Sequence, residues 1–172
     1  MRNFFTPGRD PVLAGEAMIA TSHPLSTAAG LDVLAAGGTA VDAAIAACAV
    51  QCVVDPLMTG IGGDCFALYA PYGGEVIAVN GSGRAPAAAT VEKLKAAGLD
   101  TEIPRNSPHA VTVPGAIAAW TKLHRDHGRL PLDRLLARAI AYAENGYPVT
   151  PRVAFDWALE TAVADDPHAA AV

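Results

Sequence analysis

Residues 39–55 read TAVDAAIAACAVQCVVD, and this stretch decides the fold because it predicts a helix with almost no polar face. Thr39 can cap the first turn, and Asp42 lies where a carboxylate interacts favourably with the positive end of the helix dipole. The Asp55-Pro56 pair ends the helix, since a residue before proline avoids helical backbone angles. A helix of this composition is buried on nearly every side, and its alanines allow neighbouring elements to approach closely.

Other elements are predicted on both sides of this central helix. Ala17 to Thr21 is typical of a short strand, and Ser22 is the expected cap of a helix that begins at Pro24. Strands at 65–70 and 75–80 form a hairpin across a turn at 71–74 that contains two glycines. Further helices are expected at 24–36, 90–97, 114–127 and 131–145 and from Pro151 onward. The expected fold class is therefore α/β in the broad sense, of the α+β type.

The composition excludes some classes of function. The net charge is −5 and basic residues do not cluster, so nucleic acid is not an expected partner. The most apolar stretch is too short to span a bilayer, and the first ten residues lack the apolar stretch of a signal peptide. We therefore expect a cytoplasmic protein with no membrane partner. Only 17% of the residues are charged against 52% hydrophobic, so this chain is expected to bury much of its surface against something larger.

The cysteines and histidines do not predict a metal site. Cys48 and Cys52 lie four residues apart on one helical face, but zinc would require two further ligands at suitable spacing. We interpret them, with Cys65, as small buried hydrophobic residues. His124 and His127 are three apart near a helix end, where either a metal pair or a favourable contact with the helix dipole is conceivable, and the second is the simpler interpretation. No metal and no cofactor are predicted.

The glycine-rich loop at 59–64 does not have the sequence of a nucleotide site. A phosphate-binding P-loop has Lys and Ser or Thr after its last glycine, whereas Asp64-Cys65 stands there. A dinucleotide fingerprint lies between a strand and a following helix, but this loop follows a helix and precedes a strand. The glycines are better explained by close passage of the backbone past a neighbouring helix or a substrate. Cys65 has no visible partner for a Cys-His mechanism, although sequence alone does not exclude one in space.

Several motifs together resemble one family. They occur in order along nearly the whole chain from Ala14, and they are Met18–Leu25, Gly37–Ala46, Thr59–Phe66, Pro108–Gly115 and Gly146–Val149. The set is similar to the large subunit of the γ-glutamyltransferase family. That resemblance implies an N-terminal-nucleophile hydrolase fold, an αββα sandwich made from one precursor that cleaves itself. The cut frees a Thr whose own amine then serves as the base for its hydroxyl.

The resemblance also implies what this chain contributes. Residues 1–172 correspond to the N-terminal, helix-rich part of the large subunit with its β-hairpin, and residues 1–13 are expected to be a flexible leader. The C-terminal half and the small subunit, which would carry the nucleophilic Thr, are expected to be absent from this chain and to be its partner. None of its own threonines lies in the family's cleavage motif. We expect no catalytic residue here and no activity from this chain alone.

The substrate site is expected in the bend at 80–86. The family binds its substrate's carboxylate with an Arg in a pattern like Asp-Gly-Arg-Glu-Thr-Ala-Pro, but alignment on Ala85-Pro86 puts Ser82 at that position and an arginine two residues later, at Arg84. We predict that Arg84, Ser82 and Asn80 bind substrate. This form of the bend looks more like the oxamate amidohydrolase branch, which hydrolyses a small amide.

Several alternatives stay open. One alternative substrate is a γ-glutamyl compound, as in glutathione hydrolysis or transfer. Another is a different amide, such as a cephalosporin side chain. Arg84 is alternatively a surface salt-bridge residue. The chain is alternatively a non-catalytic scaffold derived from this fold.

Overall fold

The computed structural model describes residues 11–104 and 107–159. Within them the chain forms six α-helices, a short 3₁₀ turn at Pro108–Ala110 and one β-hairpin. The helices are α1 (Pro24–Ala35), α2 (Ala40–Val54), α3 (Val91–Ala96), α4 (Ala116–His127), α5 (Leu132–Asn145) and α6 (Pro151–Leu159), and the strands are β1 (Cys65–Tyr69) and β2 (Ile77–Gly81). The predicted mixture of helices with one hairpin is confirmed.

Helix α2 lies at the centre of the core, with the bounds that its sequence predicts. Nine of its fifteen residues are buried, and Val50 and Val54 have no exposed surface. Within the described residues one stripe is uncovered, since Ala40, Ala44 and Cys48 are exposed, and burial of this stripe in the complete sandwich stays a prediction. These residues are spaced four apart, so they share one face. The apolar composition of that face therefore does not by itself place a neighbour over it.

Helix α1 packs on α2 through small side chains and one buried hydrogen bond. The Ser26 hydroxyl donates to the Ala47 carbonyl oxygen at 2.6 Å, and both residues are buried. The predicted Ser22 cap is wrong: His23 is the N-cap, with its ring Nδ1 accepting the Leu25 N–H at 3.2 Å. Ser22 instead accepts a hydrogen bond from the Gln51 side chain at 2.9 Å. This contact joins the Ser22 hydroxyl to α2.

The strand predicted at Ala17 to Thr21 does not form. This segment has no regular secondary structure in the described part of the chain, and most of it is exposed. Extended residues become a strand only when another strand accepts and donates the ladder hydrogen bonds. The one sheet formed by the described residues pairs β1 with β2 alone.

The hairpin is antiparallel and its register pairs Cys65 with Gly81 and Tyr69 with Ile77. One face carries the half-buried Cys65, Ala67 and Tyr69, which pack against the core. The opposite face carries Phe66 and Leu68, which are 70% and 80% exposed. The sheet therefore has one covered face and one apolar face that the described residues leave open.

Helices α4 and α5 complete the core. Trp120 and Leu123 of α4 and Leu135 of α5 are buried, as their spacing predicts. Ile117 of α4 and Ile140 of α5 are 47% and 50% exposed and line an apolar groove beside the glycine loop at 59–62. Within the described ranges, no helix combines the length and the apolar character that crossing a bilayer requires.

Candidate functional site

The bend at 80–86 leaves the end of β2 and is held by its own backbone. The Asn80 side-chain oxygen accepts the Ser82 N–H at 2.9 Å, which is the geometry of an Asx turn. Two residues later, the Arg84 carbonyl oxygen accepts the N–H of Val113 at 3.0 Å. The bend is therefore fixed at both ends, once locally and once by the segment that leads into α4.

The carboxylate of Asp64 joins this bend to the glycine loop. Its Oδ1 accepts the backbone N–H of Gly83 at 2.8 Å and the Thr112 hydroxyl at 3.3 Å. Asp64 is the last residue before β1, and the two partners lie 19 and 48 residues further along the chain. One side-chain oxygen thus holds three separate segments together.

The glycine loop also contacts the start of α4 through its backbone. The Gly63 carbonyl oxygen accepts the N–H of Gly115 at 3.1 Å and of Ala116 at 3.0 Å. The first N–H groups of a helix have no partner within the helix, so an outside acceptor satisfies them. We call residues 63–64, 80–84 and 112–116 the three-segment junction. It brings together three of the motifs that the sequence analysis identified separately.

Close approach of backbone requires glycine at several positions of the junction, Gly83 and Gly115 among them. A Cβ at Gly83 would collide with the Val113 carbonyl oxygen, and a Cβ at Gly115 would collide with that of Gly81. Both obstacles are backbone atoms, which cannot turn aside as a flexible side chain does. In contrast, a Cβ at Gly60 would meet no atom within 4 Å. The loop and the bend therefore contain glycines of two kinds, those in contact and those in open space.

The predicted substrate-binding side chains lie on the open side of this junction. Asn80, Ser82 and Arg84 are all exposed. The Ser82 hydroxyl makes only a long contact of 3.4 Å with the Gly83 carbonyl oxygen. No carboxylate of residues 11–104 or 107–159 lies within ion-pair distance of Arg84. Their role in binding stays a prediction.

The cysteines depart from the sequence interpretation. Cys48 is exposed and Cys52 and Cys65 are half-buried, so "buried hydrophobic residue" describes none of the three fully. Their apolar surroundings raise the pKa of each thiol, and for Cys48 the nearby thiols of Cys65 and Cys52 raise the pKa further. A thiol with a raised pKa is a poor nucleophile at neutral pH. This location does not favour a catalytic role for any of them.

The two histidines of α4 serve packing. The half-buried His124 ring donates from Nε2 to the Leu130 carbonyl oxygen at 2.7 Å, and the His127 ring packs against Tyr69 with ring centres 4.5 Å apart. These contacts favour the structural interpretation over a metal pair. Among the residues that the structure describes, no group of three or more His, Cys, Asp or Glu side chains could hold a metal ion.

Sequence reasoning missed Asp64 and Thr112. Asp64 entered the sequence analysis only because it rules out a P-loop. One available signal was an acidic residue directly after Gly62-Gly63, since a short polar side chain beside a tight turn commonly binds backbone N–H groups. Thr112 gave no comparable signal.

Comparison with known proteins identifies the family. The Gamma-glutamyltranspeptidase family matches residues 26–172. The oxamate amidohydrolase proenzyme of Klebsiella pneumoniae is 43% identical over 139 residues, which cover 77% of this chain and 26% of that protein. The acylase ACY 1 proenzyme of Pseudomonas sp. (strain SE83) is 36% identical over 155 residues, covering 86% of this chain and 28% of that protein.

Solved structures agree with this assignment. γ-Glutamyltranspeptidase of Helicobacter pylori superimposes with a TM-score of 0.83 at 30% identity, covering 93% of this chain and 47% of that one. Cephalosporin acylase of Bacillus halodurans gives 0.79 at 44% identity, with 93% and 31% covered. The chain thus has part of the fold of the hydrolases and transpeptidases with an N-terminal nucleophile. The chain belongs to the γ-glutamyltranspeptidase family, and it spans little more than a quarter of the length of these curated relatives.

Proposed function

We propose that this chain is the N-terminal portion of a self-cleaving amidohydrolase that hydrolyses a small, carboxylate-bearing amide such as oxamate. Two relatives are proenzymes, and each is more than three times as long as the segment matched here. In this proposal the remainder of the precursor supplies a Thr-led small subunit and completes the αββα sandwich. A cytoplasmic location, and residues 1–13 as a leader, are part of the same proposal.

In the proposed reaction, the remainder of the precursor carries out the chemistry and this chain binds the substrate. The amine of the freed Thr takes the proton of its own hydroxyl, and the oxygen attacks the amide carbonyl. The C–N bond breaks, ammonia leaves, and water then hydrolyses the acyl-enzyme to release the dicarboxylate. Because the nucleophile lies outside this chain, the chain alone is inactive.

The observation that carries the substrate proposal is the state of Arg84. Its guanidinium is exposed, has no carboxylate partner among the described residues, and sits on a bend fixed at both ends. A guanidinium can pair with a carboxylate through two parallel hydrogen bonds, and oxamate offers one carboxylate and no α-amino group. The identity with the Klebsiella oxamate amidohydrolase proenzyme supports the same substrate class.

A second candidate is γ-glutamyl hydrolysis or transfer, which the TM-score of 0.83 with the Helicobacter pylori enzyme favours. The family's arginine is replaced by Ser82, and a displaced carboxylate clamp would hold a γ-glutamyl head group in another position. A third is cleavage of a larger acyl amide, which the 44% identity with a cephalosporin acylase favours.

The test begins with the reading frame downstream of Val172. If it continues, the full precursor is expressed, and the mature protein is analysed by N-terminal sequencing and by ammonia release from oxamate. A new N-terminal Thr with oxamate turnover supports the proposal. Cleavage of γ-glutamyl-p-nitroanilide or of a cephalosporin side chain, with no oxamate turnover, selects one of the other substrates. A stop codon directly after Val172 supports the non-catalytic scaffold instead.

A further inference from the structure

We propose that Asp64 is the positioning residue of the substrate-binding bend: its carboxylate fixes the Gly83 N–H and, through it, the direction in which Ser82 and Arg84 project. The kinetic part of this inference rests on the proposed function. Asp64 is distinct from the three residues assigned to binding, and it acts through the backbone of the bend.

The first argument is the position of the contact within the bend. Gly83 lies between Ser82 and Arg84, so the orientation of its peptide sets where both side chains leave the backbone. The N–H of Gly83 donates to Asp64 Oδ1 at 2.8 Å, a distance typical of a strong hydrogen bond to a charged acceptor. Without this acceptor, the middle of the bend would lose the side-chain contact that joins it to the glycine loop.

The second argument is that the other contacts of the bend fix different atoms. Asn80 holds the Ser82 N–H, and Val113 holds the Arg84 carbonyl oxygen. The peptide between them can still rotate about its flanking bonds, because glycine adopts a wide range of backbone angles. Asp64 removes that freedom. Thr112 donates to the same Oδ1 at 3.3 Å and so keeps the carboxylate from turning away.

The third argument is the fit of the surrounding backbone. The Gly83 Cα passes so close to the Val113 carbonyl oxygen that no larger residue fits there. A residue that must be glycine for steric reasons brings unwanted flexibility to the bend, and the carboxylate offsets it. Close packing and the hydrogen bond therefore both restrict the backbone at Gly83.

The test uses the full precursor with Asp64→Ala and Asp64→Asn, and with Asp100→Ala as a matched control. Asp100 is an exposed acid whose Lys95 contact, at 3.7 Å, lies outside the junction. We expect the amide of Gly83 to exchange with deuterium about tenfold faster in Asp64→Ala, because the N–H loses its hydrogen bond to a charged acceptor. Asp64→Asn should stay within about threefold of wild type, since its side-chain oxygen still accepts the N–H. Unchanged exchange in Asp64→Ala would overturn the proposal.

The kinetic arm separates positioning from general damage to the fold. Asp64→Ala should raise the KM for oxamate about tenfold with kcat within about threefold, while Asp100→Ala changes neither. In an Arg84→Ala background, Asp64→Ala should change KM less than about twofold, because the charged group that it positions is gone and only the weaker contact of Ser82 remains. A full effect of Asp64→Ala in that background would show that it acts independently of Arg84 and would refute the inference.

The two arms also distinguish this inference from the proposed function. If the mature wild-type protein turns over no carboxylate-bearing amide, the proposed function is rejected, and the exchange rates alone decide whether Asp64 holds the bend. If oxamate is turned over but Gly83 exchange is insensitive to Asp64→Ala, the function stands and the positioning role falls.

Discussion

Both carboxylate oxygens of Asp42 accept the backbone N–H of Arg129, at 3.2 and 3.0 Å, although the two residues are 87 positions apart. The same carboxylate accepts the N–H of Thr39 at 2.9 Å, which completes a capping box at the start of α2, and the N–H of Leu130 at 3.2 Å. Asp42 has no exposed surface. A residue that the sequence places only against the helix dipole therefore caps α2 and also holds the turn between α4 and α5.

Asp42→Ala should destabilise the chain by about 3 kcal/mol or more, since the backbone N–H groups of Thr39, Arg129 and Leu130 lose their charged acceptor at once. Urea unfolding followed by circular dichroism measures this. The matched control is Asp100→Ala, whose exposed pair with Lys95 should contribute about 1 kcal/mol or less. Equal losses in the two variants would contradict the role given to Asp42.

Gly83→Ala should destabilise the three-segment junction by about 1–3 kcal/mol, the usual cost of forcing extra volume into a packed site. The added methyl would collide with the Val113 carbonyl oxygen. Gly60→Ala is the control, because its methyl enters open space. Thermal unfolding of both variants distinguishes them, and an unchanged melting temperature for Gly83→Ala would mean that the junction is looser than described.

The purified 172-residue chain should hydrolyse neither oxamate nor γ-glutamyl-p-nitroanilide, because the proposed Thr nucleophile lies outside it. Ammonia and p-nitroaniline release, each measured against a buffer blank, provide the readout. Turnover that co-purifies with the chain through successive columns would contradict this prediction.

In the full precursor, Arg84→Ala should cost on the order of 2–5 kcal/mol in transition-state binding of oxamate, as for a charged partner removed from a buried pair. Ser82→Ala should cost about 1 kcal/mol, the contribution of a typical neutral hydrogen bond. The measurement compares kcat/KM for oxamate in each variant with that of the wild type. If Arg84→Ala leaves kcat/KM for oxamate within a factor of a few, Arg84 is not the carboxylate ligand.

The raised pKa of the Cys48 thiol predicts that the stability of the chain depends on pH. Apolar surroundings, then the thiols of Cys65 and Cys52, raise the pKa of Cys48. In the unfolded chain the thiol ionises at its ordinary value of about 8.5, so its contribution to stability is complete below that pH. The contribution is lost as the pH rises through the higher folded pKa. The urea midpoint of wild type should therefore fall more steeply than that of Cys48→Ala above about pH 8.5. Parallel pH profiles would contradict this.

Local patterns predicted the helices well. The bounds of α2 and its Thr39 cap follow from the apolar composition, from the threonine directly before it and from Asp55-Pro56 after it, which are properties of a short segment. Proline at the start and glycine after the end of each helix predicted the bounds of α4 and α5 to within two residues. The bend and its neighbours were also located correctly, because glycine clusters after a strand are local signals.

Contacts between distant segments were not predictable in the same way. The strand expected at Ala17 to Thr21 needs a partner that composition does not reveal. The exposed stripe on α2 could not be told from its buried sides, since alanine and cysteine occur on both. His23 is the cap in place of Ser22, whose hydroxyl accepts a hydrogen bond from Gln51 of another helix. Asp64 was missed for the same reason, since its partners lie 19 and 48 residues away.

The contact between Asp42 and Arg129 has a consequence for the order of events in folding. Closing an 87-residue loop costs more chain entropy than forming the turn between α1 and α2, so α1 and α2 can pair before the α4–α5 turn docks onto Asp42. Interactions formed after the transition state affect mainly the unfolding rate. We therefore expect loss of the Asp42 carboxylate to shorten the lifetime of the native state more than it slows refolding, since only its cap of α2 forms early.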